Sequence, residues 1–499
     1  MNVCLKKFPY KYMEYEKELM YREIALLFPD SIIEDTKTGV IVSNINEKQM
    51  FLFERLTYFM SFEYNNQIQH TLQYKLEMSS EGKSKRQYTR YSTNGLHEYK
   101  GKFNPQIVHS IVNILGISKE MSVFDPFCGS GTTLLECQHI GISSIGVDIN
   151  PLAVFIANTK TASLAINTEH ANNVLERIIN SVKNLTQLDF DDTDSRISYL
   201  KKWIPVDILT TIETIRKLLA AESALISNFF MVLISDLIRD YSYQEPSDLR
   251  IRRRFSPFPK IGFMDAFYSS TEKQLQQISS VQKFIEYKKN PNYAINCDIK
   301  SKASALEKLQ FDAAITSPPY ATALPYIDTQ RLSLVWLKLC SPSNISKLES
   351  TLIGSRDMYN GEKQIWKKAI TQNSEQLTSS VMDIIMDMQS SIMNTDGFRK
   401  QAVPTLLYRY FADMKQMFIN MKKHVKENGG FALVVGHNKS TLGGKVFNID
   451  TPRLLANVAE NCEWIVEEKF PLQTYKRYGL NSKNSINCET LLILRNKRG

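Results

Sequence analysis

Short apolar runs that end abruptly on glycine, proline or a carboxylate alternate along this chain with segments of helical spacing, the pattern of a largely parallel sheet flanked by helices. Val123-Phe124 runs into a glycine turn, Leu134 to Gln138 follows as helix, and Ile145 to Val147 ends on Asp148. Further strands are predicted at Ala294 to Cys297, Phe311 to Ile315, Phe431 to Val435, Trp464 to Lys469 and Thr490 to Leu494, which makes seven. Helical spacing covers Ile107 to Leu115, Pro151 to Leu164, Ala171 to Leu185, Val206 to Ala221, Ala224 to Arg239 and Tyr408 to Val425, the last stopped by Gly429-Gly430. Ahead of these, Phe8 to Tyr12 and Gly39 to Val42 read as strands, and Tyr15 to Leu27 and Lys48 to Phe59 as helices. The fold class is α/β. The pattern divides into a small N-terminal α/β module over 1–90, a first half of the sheet over 91–165, a mainly helical insertion over 166–292 and a second half over 293–499.

Gly129 and Gly131 leave the turn without side chains, so a ligand can lie on the backbone and at the start of the next helix. Asp148 follows about 20 residues later, where an acid at a strand tip can bind ribose hydroxyls. A turn required only for packing would use the same glycines. The letters around them are more specific. Asp125-Pro126-Phe127-Cys128-Gly129-Ser130-Gly131-Thr132-Thr133 resembles motif I of the S-adenosylmethionine-dependent amino-methyltransferases, which methylate exocyclic amines of nucleic-acid bases; Gly146-Val147-Asp148-Ile149-Asn150-Pro151 resembles their motif II. Their third motif, a Pro-Pro-Tyr turn after a strand, has its counterpart in Ser317-Pro318-Pro319-Tyr320. His97 to Val108 resembles motif X, the element that closes over the methionine end of the cofactor.

The resemblance implies a seven-stranded Rossmann-like class I methyltransferase sheet and S-adenosylmethionine as cofactor. It implies that Lys102, Phe103, Pro105, Asp125, Phe127, Gly129, Gly131, Thr132, Asp148 and Asp298 bind that cofactor, and that Ser317, Pro318, Pro319 and Tyr320 are catalytic. The exocyclic amine is a poor nucleophile, because its lone pair is delocalised into the ring. Ser317 and the Pro318 carbonyl are expected to accept its hydrogens, with Tyr320 stacking on a flipped-out base. Ser-Pro-Pro-Tyr is the form typical of enzymes acting on cytosine N4, whereas Asp or Asn in the first place is more usual for adenine N6 and for guanine N2 in tRNA. No Pro-Cys dipeptide occurs, which argues against methylation of a ring carbon through a cysteine nucleophile. The insertion, lying between the cofactor motifs and the catalytic motif, resembles the target-recognition region of the α-order members.

Charge supports an anionic partner. The formal net charge is +9 at pH 7, and Arg250, Arg252, Arg253 and Arg254 form a compact cluster suited to phosphates or guanine edges. Lys83, Lys85, Arg86, Arg90, Lys100 and Lys102, interleaved with Tyr88, Tyr91 and Tyr99, make a second basic stretch. An exposed charged turn or a solvated linker would have the same composition. The expected partner is duplex DNA, with room for a separate restriction endonuclease; an RNA base is the alternative. Seven scattered cysteines without metal-ligand spacing, no signal-peptide core and no long apolar run predict a reduced, cytoplasmic protein with neither structural metal nor membrane span.

Overall fold

The computed structural model describes residues 1–80, 87–183, 185, 188, 190–191, 193–285, 291–301, 306–321, 326–359, 361–473 and 488–497. The chain opens with β1 (Val3–Lys7), α1 (Glu14–Leu27), β2 (Ile32–Asp35), β3 (Gly39–Ser43), a 3₁₀ segment at Glu47–Arg55, β4 (Phe59–Tyr64), β5 (Gln67–His70) and α2 (Leu72–Met78). The five strands form an antiparallel sheet ordered β2-β3-β1-β4-β5. Two expectations fail here. The first strand is Val3–Lys7, where Val3 and Leu5 point inward and Cys4 and Lys6 outward. Phe8 to Tyr12 is irregular instead, because the Tyr12 hydroxyl accepts from the Phe8 amide at 2.8 Å and donates to the Tyr58 carbonyl at 2.7 Å. Lys48 to Phe59 is not one helix: the 3₁₀ turn ends at Arg55, and Phe59 is already paired with Lys7 in β4.

The chain continues through α3 (Pro105–Ile114), β6 (Ser122–Asp125), α4 (Thr132–Ile140), β7 (Ser143–Asp148) and α5 (Pro151–Ser163). Five helices follow: α6 (Thr168–Val182), α7 (Ser195–Trp203), α8 (Val206–Leu219), α9 (Ala224–Ile238) and α10 (Phe263–Gln282). Of these, α7 and α10 were not legible in the apolar spacing. Next come β8 (Asn292–Asn296), β9 (Phe311–Thr316), α11 (Tyr326–Trp336), α12 (Ile345–Thr351), α13 (Glu362–Gln372), α14 (Ser379–Ser390), α15 (Phe398–Gln401) and α16 (Val403–His424). The chain closes with β10 (Val425–Gly436), a hairpin of β11 (Asn438–Leu442) and β12 (Lys445–Ile449), then α17 (Thr451–Glu460), β13 (Ile465–Gln473) and β14 (Cys488–Arg495).

The central sheet has seven strands in the order β13-β14-β10-β9-β6-β7-β8. Strands β8, β7, β6, β9 and β10 run parallel, and β14 is antiparallel to both of its neighbours. This is the Rossmann-like methyltransferase sheet that the motifs predict. The chain leaves β6 towards β7 and β8 on one side, then returns to build β9 and β10 on the other. The strand order therefore reverses between β6 and β9, and the loops after these two strands open onto one crevice at their carboxyl ends.

Gly429-Gly430 does not end the preceding helix, as the sequence suggested. The helix stops at His424, and the glycines lie inside β10, where the pairing with β9 slips between Val425 and Gly430. A Cβ on Gly429 would stand 2.7 Å from the Asp312 carbonyl oxygen, so glycine is needed for this bulge. Among the described residues, the three largest apolar cores divide the molecule between them. One joins α1, the N-terminal sheet and α3 to one face of the central sheet. Another covers the opposite face with α14, α16 and α17. The third joins α6, α8, α9 and α10 to α5 and α11 through Phe229, Phe230, Leu152, Ile327 and the fully buried Trp336.

Candidate active site

The strand β6 delivers Asp125 into the interior, 2% exposed, where its Oδ1 accepts from the Phe127 amide at 3.0 Å and from the Thr316 hydroxyl at 2.6 Å. Thr316 ends β9 and immediately precedes Ser317. One carboxylate thus ties the glycine turn to the proline turn. Burial pushes Asp125 up to about 6, against the lowering effect of its hydroxyl and amide donors.

The two glycines do different work. Gly129 has φ +48°, and a Cβ there would press to 3.4 Å on the ring of Tyr99. Gly131 has φ +79°, and a Cβ there would strike Ala157 of α5 at 2.7 Å, so this residue lets the start of α4 close on α5. At the tip of β7, Asp148 accepts from the Gly129 amide at 3.0 Å and the Asn150 amide at 2.8 Å. Its carboxyl is raised to about 6, by burial first and by the nearby Asp125.

A single cavity gathers Lys102 and Phe103 from the segment before α3, Asp125, Phe127, Gly129, Ser130 and Thr132 from the glycine turn, and Ser317 from the proline turn. Lys102 reaches inward and donates to the Asn94 carbonyl at 2.7 Å; burial lowers its ammonium to about 8. Ser317 donates to the Val434 carbonyl at 3.3 Å, the residue beside it on β10. Pro318 is buried, and the Tyr320 hydroxyl donates to Glu489 at the start of β14. Pro105 is the first residue of α3, where its missing amide costs nothing. Asp298, two residues past β8, accepts from the Lys300 amide at 2.9 Å and is not among the side chains lining the cavity.

Several residues in or near the cavity were not assigned to it from sequence, Gly101, Cys128, Ser130 and Thr133 among them. Tyr99 lines it beside Gly129. Tyr326 of α11 lies against Gly101 and close enough to Asp148 for that carboxylate, after burial, to help raise its hydroxyl to about 12. Lys160 of α5 is fully buried and donates to the Ser130 hydroxyl at 3.1 Å. A lysine on an apolar helix face carries no motif, so no local signal marked it.

The arginine cluster divides. Arg254 is spent on the protein itself: its guanidinium donates to the carbonyls of Ser242 at 2.7 Å, Asp240 at 2.7 Å and Pro257 at 3.1 Å, with Phe258 beneath it. Arg252 and Arg253 are exposed, the first beside Phe255 and the second 4.7 Å over the ring of Trp203. Arg250 and Arg399 both stand near Arg356 and, after burial, help to lower its guanidinium. Of the other basic stretch, Lys83, Lys85 and Arg86 lie outside the described residues.

A family model described as DNA methylase, covering N6- and N4-methyltransferases, matches residues 16–159, which include the glycine turn and Asp148. The Type II methyltransferase M.BsoBI of Geobacillus stearothermophilus is 23% identical over 389 residues, 70% of this chain and 75% of its own length. The Type II methyltransferase M.AvaI of Nostoc sp. is 22% identical over 435 residues, 82% of this chain and 85% of its own. Together these matches support an amino-methyltransferase of DNA bases.

The chain also shares 35% identity over 52 residues with a tRNA (guanine(10)-N2)-dimethyltransferase of Methanothermobacter thermautotrophicus, a stretch covering 10% of the chain. The likeness to Type II methyltransferases implies use of S-adenosylmethionine. The cavity lining fits such a molecule in part: an inward ammonium for a carboxylate, and Phe103 and Phe127 as apolar walls; the Asp148 carboxylate, suited to hydroxyls, does not line the cavity but is held beside it by the Gly129 amide. Among the described residues no cluster of side chains could hold a metal ion, and no helix is long and apolar enough to cross a membrane.

Proposed function

We propose that the protein is a site-specific DNA methyltransferase that moves a methyl group from S-adenosylmethionine to the exocyclic N4 of a flipped-out cytosine. The observation that carries this reading is the shared cavity: Ser317 and the Gly129 turn face one space, and Asp125 ties their loops together.

Bound there, S-adenosylmethionine supplies an electrophilic methyl group on a sulfonium centre. Asp148 holds ribose hydroxyls, Lys102 and Phe103 hold the methionine end, and the turn from Asp125 to Thr132 frames the space between. Pro105 sets the entry into α3, and Gly131 sets the approach of α4. Asp298, at the neighbouring strand tip, is proposed to reach the adenine edge. Because the Ser317 proton is directed to Val434 O, the hydroxyl oxygen presents lone pairs to one amino hydrogen of the base. The Pro318 carbonyl accepts the other, and Pro319 holds the turn. Together they draw the amine towards a tetrahedral, nucleophilic form. Tyr320, anchored through Glu489, offers a face on which the base stacks.

Arg250, Arg252 and Arg253 are read as contacts to DNA. Arg254, included in that cluster from sequence, instead shapes the loop that carries them. The Type II names of the relatives support a place beside a separate restriction endonuclease, in the cytoplasm. Ser317 in place of aspartate or asparagine favours cytosine.

Incubating the protein with labelled S-adenosylmethionine and duplex DNA, followed by digestion to nucleosides, should give N4-methylcytosine. N6-methyladenine alone would move the protein to the adenine class. Label in tRNA and never in DNA would select the reading that the short match to the tRNA enzyme favours.

A further inference from the structure

Two lysines approach the cavity from different elements, and neither meets a carboxylate. Lys102 comes from the segment before α3; its recorded hydrogen bonds go to the carbonyls of Asn94 at 2.7 Å and Thr89 at 3.5 Å. Lys160 comes from the buried face of α5 and donates to the hydroxyl of Ser130, which itself lines the cavity. Among the described residues, no carboxylate forms an ion pair with either ammonium. A buried cation with neutral partners has lost most of its hydration without gaining a counter-charge, so the environment favours loss of its proton.

We propose that Lys102 and Lys160 form a two-lysine seat for the carboxylate of the methyl donor's amino-acid end, and that filling this seat draws a proton onto the pair. Lys102 touches the carboxylate. Lys160 is a positioning residue that acts through Ser130, fixing the hydroxyl that completes the seat. The inference rests on the cofactor reading above and adds to it a residue outside the motifs and a linkage between binding and protonation.

The surrounding charges agree. Glu136 of α4 faces Lys102 and favours its charged form, while Arg90 opposes it; burial dominates and leaves the ammonium at about 8. Around Lys160 stand Lys102, which repels it, Asp236 of α9, which attracts it, and the buried imidazole of His97; burial dominates again and holds this ammonium well below the ordinary lysine range. Near pH 8 the pair is therefore incompletely protonated. An arriving carboxylate supplies the missing anion and raises both groups.

The test is calorimetric titration of the full chain with S-adenosylhomocysteine at about pH 8, in buffers of different ionisation enthalpy. The slope of the observed heat against that enthalpy counts the protons taken up. The seat requires a net uptake of at least about half a proton per ligand, since a group titrating near 8 is half charged at that pH. Lys102→Met should abolish most of this uptake and weaken binding. Lys160→Met should reduce it with a smaller loss of affinity, because that side chain does not touch the ligand. Ser130→Ala, which cuts the link while keeping both lysines, should reproduce the Lys160→Met result and stands in for it if that variant does not fold. Decarboxylated S-adenosylhomocysteine keeps the ligand's own amine, and it should bind without the uptake. Binding with no proton uptake, or uptake unchanged in all three variants, overturns the seat and leaves the cofactor reading intact. Absence of any binding by the unaltered chain overturns both.

Discussion

Ser317 donates to the Val434 carbonyl at 3.3 Å, and this bond decides what the residue can do next: its proton is engaged, so towards the cavity it acts as an acceptor. Ser317→Ala should therefore lower kcat by roughly a hundredfold, the usual cost of deleting one preorganised hydrogen-bonding group, with the Kd for S-adenosylhomocysteine nearly unchanged. A loss of cofactor affinity instead would place Ser317 in the cofactor's own contacts. Asp148 gives a prediction in pH. Its carboxyl is raised to about 6, so below that it takes up a proton and accepts fewer hydroxyl bonds. Affinity for S-adenosylhomocysteine should fall by roughly tenfold per pH unit below 6, and Asp148→Asn should flatten the slope. Asp125, also at about 6, is separated from it by the same titration of Asp125→Asn. The linkage of this group to folding has the opposite sign. A carboxyl raised in the fold binds its proton more tightly there than in the open chain, so this group adds stability as pH falls from about 6 towards 4. The meeting of Gly129 and Ser317 at one cavity was legible because each stands in a short motif at the end of an apolar run. Lys160 was not, because its partner Ser130 lies 30 residues away and only the packing of α5 brings them together.

At the scale of elements, the turn from β6 into α4 works because α4 and α5 approach closely enough to leave no room for a side chain at position 131. Gly131→Ala would set a Cβ 2.7 Å from that of Ala157 and 2.9 Å from its Cα, in a left-handed backbone conformation that alanine disfavours. A destabilisation of about 1–3 kcal/mol is expected, from strain and overpacking together. Urea unfolding of the variant measures it. Because the same shift displaces the amides of Ser130 and Thr132, cofactor affinity should fall in parallel; a variant that loses stability and keeps full affinity would confine Gly131 to packing. The strands that end in these turns were readable because a buried parallel strand is a short apolar run with an abrupt polar end. Elements with one buried face and no chemistry at their ends were harder. The hairpin β11–β12 and helix α7 carry weak alternation, and the Gly429-Gly430 bulge resembled a helix stop because a glycine pair serves both purposes.

The whole molecule brings together three basic side chains that the sequence keeps far apart. Arg250 lies in the loop between α9 and α10, Arg356 just beyond α12 and Arg399 in α15, yet Arg250 and Arg399 stand close enough to Arg356 to disfavour its charge. Exposed aromatics accompany them: Phe255 beside Arg252, 73% exposed, and Phe398 beside Arg399, 72% exposed. The approach of these segments could not be read from the chain, because it follows from the packing of α11 and α12 against the helical insertion. Repulsion among these groups is relieved by an anionic partner that spans both sides, and a DNA backbone is such a partner. Replacing Arg250, Arg252 and Arg253 by alanine, or separately Arg356 and Arg399, should weaken binding of duplex DNA in either set. Each lost phosphate contact should lower the slope of log affinity against log salt by about one. Arg254→Ala should behave differently. It frees the carbonyls of Ser242, Asp240 and Pro257, so it should lower the melting temperature and weaken DNA binding only as far as the loop loosens. If the outer arginines leave the salt slope untouched while Arg254→Ala alone abolishes binding, the contact to DNA runs through the shape of the loop and not through its charge.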